Sequence, residues 1–309
     1  MAIDLLKAEV QALEGPFLEE RGIRLSMLRL DRVHSLISGN KWFKLKDNVA
    51  AAQHQGKRRL LTFGGPFSNH LLATAAAAQA SGLASAGLVR GFHAREQKTP
   101  TLADCEASGM ELRFLSREDY NRKGDPSFLH QLQQAFPDAL LIPEGGNNAA
   151  GRQGAGAIAS LIPEHTDLVT LPVGTGATFC GIRDALDTGT RMLGFAGFKN
   201  GACLEEEIEK NLVLPRSGWE LITEFHFGGF ARHRPELIRF MNDFYRQFSI
   251  PLDFVYTGKM MYGLFRMVAD DRISAGSRIC AIHTGGLQGN RSLDSLLFYN
   301  PSSVPDGDK

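Results

Sequence analysis

The chain is poor in cysteine. Its four copies, Cys105, Cys180, Cys203 and Cys280, stand far apart with no pair at chelating spacing, which argues against both a disulfide framework and a zinc site. An excess of one charge is also missing. The 34 Lys and Arg residues balance 34 Asp and Glu, whereas a nucleic-acid platform carries a basic surplus. No apolar run approaches the roughly 20 residues that a membrane helix requires. The opening M-A-I-D-L-L-K-A-E-V places acidic side chains where a secretory leader has a basic region followed by an apolar one. Repeats of solenoid period and low-complexity linkers are absent too. These absences leave the expectation of a cytoplasmic protein with neither nucleic acid nor membrane as partner.

What is present is an ordinary globular balance over 309 residues, with 43% hydrophobic and 22% charged side chains. That length suits two average domains or one large one. Glycine is the main punctuation, with 33 copies against 13 prolines. Short aliphatic runs alternate with alanine-rich stretches. Strands are expected at 59–63, 86–89, 112–115, 139–142, 168–173, 192–196 and 279–283, with helices near 69–80, 101–108, 126–136 and 179–186. Such alternation predicts an α/β protein with parallel sheets and helices on both faces.

Five motifs lie at element junctions. In S-G-N-K-W-F-K-L, Lys41 follows Gly-Asn at a turn into a helix, and Lys44 stands one turn ahead. A helix start and a second cation both favour the uncharged amine that condenses with a carbonyl group, although two solvated lysines would share the same sequence. G-G-P-F-S-N-H, residues 64–70, offers backbone N–H groups to a carboxylate or phosphate, with Ser68 either contacting the anion or capping the helix. P-V-G-T-G-A-T, residues 172–178, follows an apolar strand and reads either as a phosphate cradle or as a tight strand–helix turn. It lacks both the Gly-Lys-Ser/Thr ending of a nucleotide loop and the third glycine of G-x-G-x-x-G. V-Y-T-G-K-M (255–260) and A-I-H-T-G-G-L (281–287) place hydroxyls and glycines beside aliphatic runs, where ligands collect in open α/β sheets. His283 alone reads as a packed or capping histidine.

Taken in this order, from about Leu25 to Gly286, the motifs resemble the fold-type II pyridoxal-phosphate enzymes related to the tryptophan synthase β subunit. Within them, the chain resembles the D-cysteine desulfhydrase and 1-aminocyclopropane-1-carboxylate (ACC) deaminase family. The resemblance implies two open, mostly parallel sheets in a tryptophan synthase β-like two-domain fold. Residues 1–43 and 151–309 would form the larger, cofactor-binding domain and 44–150 the smaller, with the active site in the cleft between them. The implied cofactor is pyridoxal 5′-phosphate, carried covalently by Lys41, with Asn69 beside its 3-hydroxyl. Ser68, Asn69 and His70 would receive the substrate carboxylate. Gly174, Thr175, Gly176, Ala177 and Thr178 would hold the 5′-phosphate, with Lys44 helping to neutralise it. Tyr256 matches an active-site tyrosine, and Thr257 and Thr284 match positions that face the pyridine ring. Either Lys41 or Tyr256 would carry the proton.

The implied activity is that of a lyase or deaminase acting on a small amino acid, in a homodimer. ACC deaminases of the family carry Glu and Leu at the two ring-facing positions, whereas D-cysteine desulfhydrases carry Ser or Thr. Thr257 and Thr284 therefore favour β-elimination from D-cysteine or a similar small D-amino acid, giving keto acid, ammonia and sulfide. ACC ring opening is the first alternative, and a catalytically silent domain that retains the fold is the second. The chain departs from the family pattern at Phe43, usually Arg, and at Pro66-Phe67, often Ile-Gln.

Overall fold

A computed structural model describes residues 8–299 apart from residues 35, 200, 214–216 and 294. Residues 1–7, which carried most of the argument against a secretory leader, lie outside the described residues. In chain order the strands are β1 (Val10–Leu13), β2 (Arg24–Arg29), β3 (Arg59–Gly64), β4 (Ala84–Arg90), β5 (Met110–Leu115), β6 (Ala139–Ile142), β7 (Leu168–Val173), β8 (Arg191–Ala196), β9 (Trp219–Ile222) and β10 (Arg278–His283). The helices used below are α1 (Asn40–His54), α2 (Asn69–Ala80), α3 (Ala177–Ala185), α4 (Pro235–Phe248) and α5 (Thr257–Ala269). Contacts divide the chain into two units. Residues 41–155 form one, and residues 8–40 with 156–299 form the other.

The smaller unit is built on a parallel sheet of order β5-β4-β3-β6. Its central strand β3 is apolar nearly throughout and buries Leu60, Leu61 and Phe63, as a strand covered on both faces must. One cluster gathers Leu61, Phe63, Tyr120, Phe128 and Leu132, and a second gathers Leu71, Leu72, Val89, Leu102 and Met110. Helix α2 buries the consecutive run His70–Ala78, which its alanines permit because a small side chain lets neighbouring backbone approach closely.

The larger unit carries a sheet of order β1-β2-β10-β7-β8-β9. Strand β1 pairs antiparallel with β2 at one edge, and the other pairings are parallel. Strands β7 and β10 bury almost every side chain. Helix α4 buries Leu237, Met241, Phe244 and Phe248, the 3-to-4-residue spacing of an amphipathic helix on a core. The α/β architecture agrees with the expectation, and strands β3 to β8 and β10 fall within two residues of the expected ranges. Strands β1, β2 and β9 had no distinguishing pattern in the sequence. No helix among the described residues is long and apolar enough to cross a membrane.

Candidate cofactor and active site

In the smaller unit the lysine motif opens α1. Lys41 is half-buried and Lys44 is buried, with its ammonium donating to the Gly145 carbonyl in the left-handed turn Gly145-Gly146. Burial, and after it the charge of Lys41, holds Lys44 well below the usual lysine range. Phe43 is buried, so the residue that replaces the family's usual arginine is a core side chain. Phe67, the second departure, is 58% exposed.

The strand–helix junction after β3 is tight. A Cβ at Gly64 would lie 2.7 Å from the Ser68 hydroxyl oxygen and 2.5 Å from Leu71. Ser68 caps α2, its Oγ accepting from the Leu71 N–H at 3.3 Å. The cap uses a lone pair and leaves the hydroxyl proton free to donate to an anion. The Asn69 Oδ1 is buried without a hydrogen-bond partner, an arrangement that costs stability unless something else supplies a donor.

His70 is buried beneath this turn. Its Nε2 lies 2.9 Å from the Thr62 hydroxyl, which also stands 2.8 Å from the Ile142 carbonyl on the paired strand β6. A carbonyl only accepts, so the single Thr62 proton goes to Ile142. His70 must therefore donate from Nε2, leaving Nδ1 as a bare acceptor with no partner. Burial, followed by the charges of Lys44 and Lys41, holds His70 well below the usual histidine range, so it is neutral. The sequence singled out His70 but gave no sign of Thr62, whose pairing depends on strand register.

In the larger unit β7 runs into Gly174-Thr175-Gly176 and then α3. Gly176 is left-handed, at φ 84°, and no side chain caps the helix. The first N–H groups of a helix have no intrahelical acceptor, and an anion is the natural partner for a start of this kind. Thr178 accepts a hydrogen bond from the Asn40 side-chain amide at 2.7 Å. Asn40 also donates its backbone N–H to the Thr284 carbonyl at 3.3 Å. The contact is so close that a Cβ at Gly39 would fall 1.9 Å from that same carbonyl oxygen. The residue preceding Lys41 is thereby fixed to two of the predicted cofactor segments of its own unit. Asn40 stands in the motif of Lys41, and the long sequence separation of its partners hides its role there.

Tyr256 stands beside the glycine loop, where a Cβ at Gly174 would lie 3.4 Å from its hydroxyl. Thr257 is fully buried, and its hydroxyl donates to the Asp253 carboxylate at 2.6 Å while accepting from the Asp253 N–H. The same carboxylate accepts from the N–H groups of Val255, Tyr256 and Thr257, which makes Asp253 the polar start of α5. The Thr257 hydroxyl proton is thus committed within the protein. An acid four residues before the threonine was the available signal. Thr284 is buried at the exit of β10. His283, fully buried, lies 2.8 Å from the Pro251 carbonyl through Nε2 and accepts from the Gly285 N–H, so it fastens the turn that follows.

These features suit a cofactor that carries a phosphate and a hydroxyl. The uncapped start of α3 offers N–H donors, and the buried Asn69 oxygen requires one. The profile of the family described as "Pyridoxal-phosphate dependent enzyme" matches residues 16–285. A putative 1-aminocyclopropane-1-carboxylate deaminase of Pyrococcus horikoshii is 28% identical, covering 82% of this chain and 81% of its own. The mitochondrial bifunctional D-cysteine desulfhydrase/1-aminocyclopropane-1-carboxylate deaminase of Arabidopsis thaliana is 27% identical, covering 87% and 73%. A crystal structure titled as an ACC deaminase homologue superposes with a TM-score of 0.78 at 26% identity, covering 94% of each chain. With the family profile spanning most of its length, the chain belongs to the pyridoxal-phosphate dependent enzymes.

Proposed function

We propose that the protein is a lyase that converts D-cysteine, or a similar small D-amino acid, and water into keto acid, ammonia and sulfide. Bound pyridoxal phosphate supplies the electron sink that weakens bonds at the amino acid's Cα. Lys41 would carry the cofactor, and its free amine would take the Cα proton. Gly174, Thr175, Gly176, Ala177 and Thr178 bind its phosphate through backbone N–H groups and the Thr178 hydroxyl, with Lys44 as the accompanying cation. Asn69 meets its 3-hydroxyl. Ser68 donates its free proton to the substrate carboxylate, together with the N–H groups of Asn69 and His70. Tyr256 is the second candidate proton carrier, supported by its hydroxyl lying against the loop at Gly174. A homodimer in the cytoplasm completes the reading, and light scattering at twice the chain's mass tests the first part.

The observation that carries the choice of reaction is Thr284, a buried hydroxyl residue at the exit of β10 where a ring partner is expected. A carboxylate there would favour a protonated, more electron-withdrawing ring, whereas a hydroxyl donates to a neutral nitrogen. Loss of a thiolate demands less of the sink than opening a cyclopropane. ACC deamination is the second reading, favoured by the names of the relatives from Pyrococcus and Arabidopsis. A panel of D- and L-amino acids with ACC, scored for pyruvate, sulfide and 2-oxobutanoate, separates the two. The proposal expects pyruvate and sulfide from D-cysteine with little 2-oxobutanoate from ACC. Robust ACC turnover without D-cysteine activity would reverse it, inactivity on both would point to another amino acid, and protein that stays colourless with added pyridoxal phosphate would favour a silent domain.

A further inference from the structure

Lys259, in the first turn of α5, has no part in the reading above. It is 1% exposed. Its ammonium donates to three backbone carbonyls, Gly229 at 2.8 Å, His226 at 3.0 Å and Gly197 at 3.1 Å, which uses all three donors. The nearest acid acting on it, Asp253, has its oxygens occupied by the start of α5. Burial lowers Lys259 to about 8. A buried cation held only by carbonyls is costly to keep, so what those carbonyls belong to matters.

Two of them lie in a strained turn. Phe227, Gly228, Gly229 and Ala231 have φ of 52°, 98°, 122° and 51°, and non-glycine residues persist in that region only where their surroundings hold them. Phe230, within this turn and 53% exposed, meets the Tyr256 ring edge-on at 6.1 Å. The third carbonyl belongs to Gly197, at the exit of β8. A Cβ there would lie 2.9 Å from the Val255 carbonyl oxygen and 3.6 Å from the Tyr256 ring. The two segments tied by one ammonium therefore both line the same tyrosine.

We propose that Lys259 is a positioning residue, a tethered cation that holds the 226–231 turn and Gly197 as the walls fixing the Tyr256 ring. Its consequence for turnover rests on the reading of Tyr256 as an active-site residue. Lys259→Met keeps the apolar stem and removes the donors. In the cofactor-loaded protein, hydrogen exchange at residues 226–231 should rise about tenfold with β10 unchanged, and kcat should fall about tenfold with KM within about twofold. In Lys259→Ala, added n-propylammonium should restore both. Phe230→Ala removes one wall at an exposed position and should lower kcat in the same direction. If Lys259→Met does not fold, an unchanged kcat in Phe230→Ala overturns the proposal. So does unchanged exchange at 226–231 in a folded Lys259→Met, or exchange that rises equally in β10 with no effect of n-propylammonium. The exchange arm needs no turnover. A Tyr256→Phe variant as active as the wild type would remove the catalytic reading of the tyrosine and leave exchange to decide whether Lys259 holds the turn.

Discussion

At the exit of β3 the chain turns through Gly64-Gly65-Pro66 into a helix whose first turn Ser68 caps. At the exit of β7 it turns through Gly174-Thr175-Gly176 into a helix that no side chain caps. The two junctions follow one pattern of aliphatic strand, glycine turn and helix, yet their polar groups are used differently. Ser68 Oγ serves its own backbone and retains one proton, while the Gly176 junction leaves its N–H groups for a ligand. The same pattern therefore leaves a donor of one hydrogen bond in the smaller unit and a helix start without a side-chain cap in the larger. On the proposed reading, covalent attachment of the cofactor would fall to the first unit and most of its phosphate binding to the second.

The division can be broken at either end. Lys41→Ala removes the covalent attachment and should lower turnover at least about a thousandfold, while phosphate-dependent retention of the cofactor, read by equilibrium dialysis, persists. Gly176→Val forces a β-branched residue into φ 84° and brings a Cβ within 3.3 Å of Ile208. Cofactor affinity should fall about 10- to 100-fold by blocking close backbone approach, more than the melting temperature of the cofactor-free protein changes. Unchanged affinity in a folded Gly176→Val would count against the cradle.

The buried His70 sharpens the contrast through pH. Its folded-state pKa lies below the unfolded value, so the unfolded chain binds the extra proton first and stability drops as pH falls below the ordinary histidine range. The slope is at most about 1.4 kcal/mol per pH unit for one proton. His70→Gln should flatten that slope in denaturant unfolding between about pH 7 and 5. The smallest effect concerns the cap. Ser68→Ala should cost about 1 kcal/mol of stability, and Ser68→Gly only a few tenths. Both should raise KM, because neither keeps the hydroxyl proton. Unchanged KM in both would leave Ser68 a cap alone.

The parallel strands were legible because each is a short buried aliphatic run closed by glycine, as in R-L-L-T-F-G and L-V-T-L-P-V. Strands β1 and β9 were not, since an edge strand with mixed exposure lacks that continuity. Within the site, the order of motifs marked Lys41, Ser68, Asn69 and the glycine loop as candidates. The partners that set their chemistry were hidden. Thr62 meets the Ile142 carbonyl, which fixes the donor role of His70, only through strand register, Asn40 reaches Thr178 across 138 residues, and Lys259 collects carbonyls 30 to 62 residues away. Thr257 shows the opposite lesson. Its partner Asp253 is local, an acid four residues earlier at the helix start, so the hydrogen bond of its hydroxyl had a signal in the sequence.

Lys41 and Lys44 both stand in α1, and burial holds Lys44 well below the usual lysine range. Borohydride reduction of the pyridoxal-phosphate-loaded protein, followed by peptide mapping, therefore tests the central assignment directly. The account predicts a single reduced adduct on Lys41, with Lys44 unmodified. An adduct on Lys44, or on any lysine other than Lys41, would contradict it.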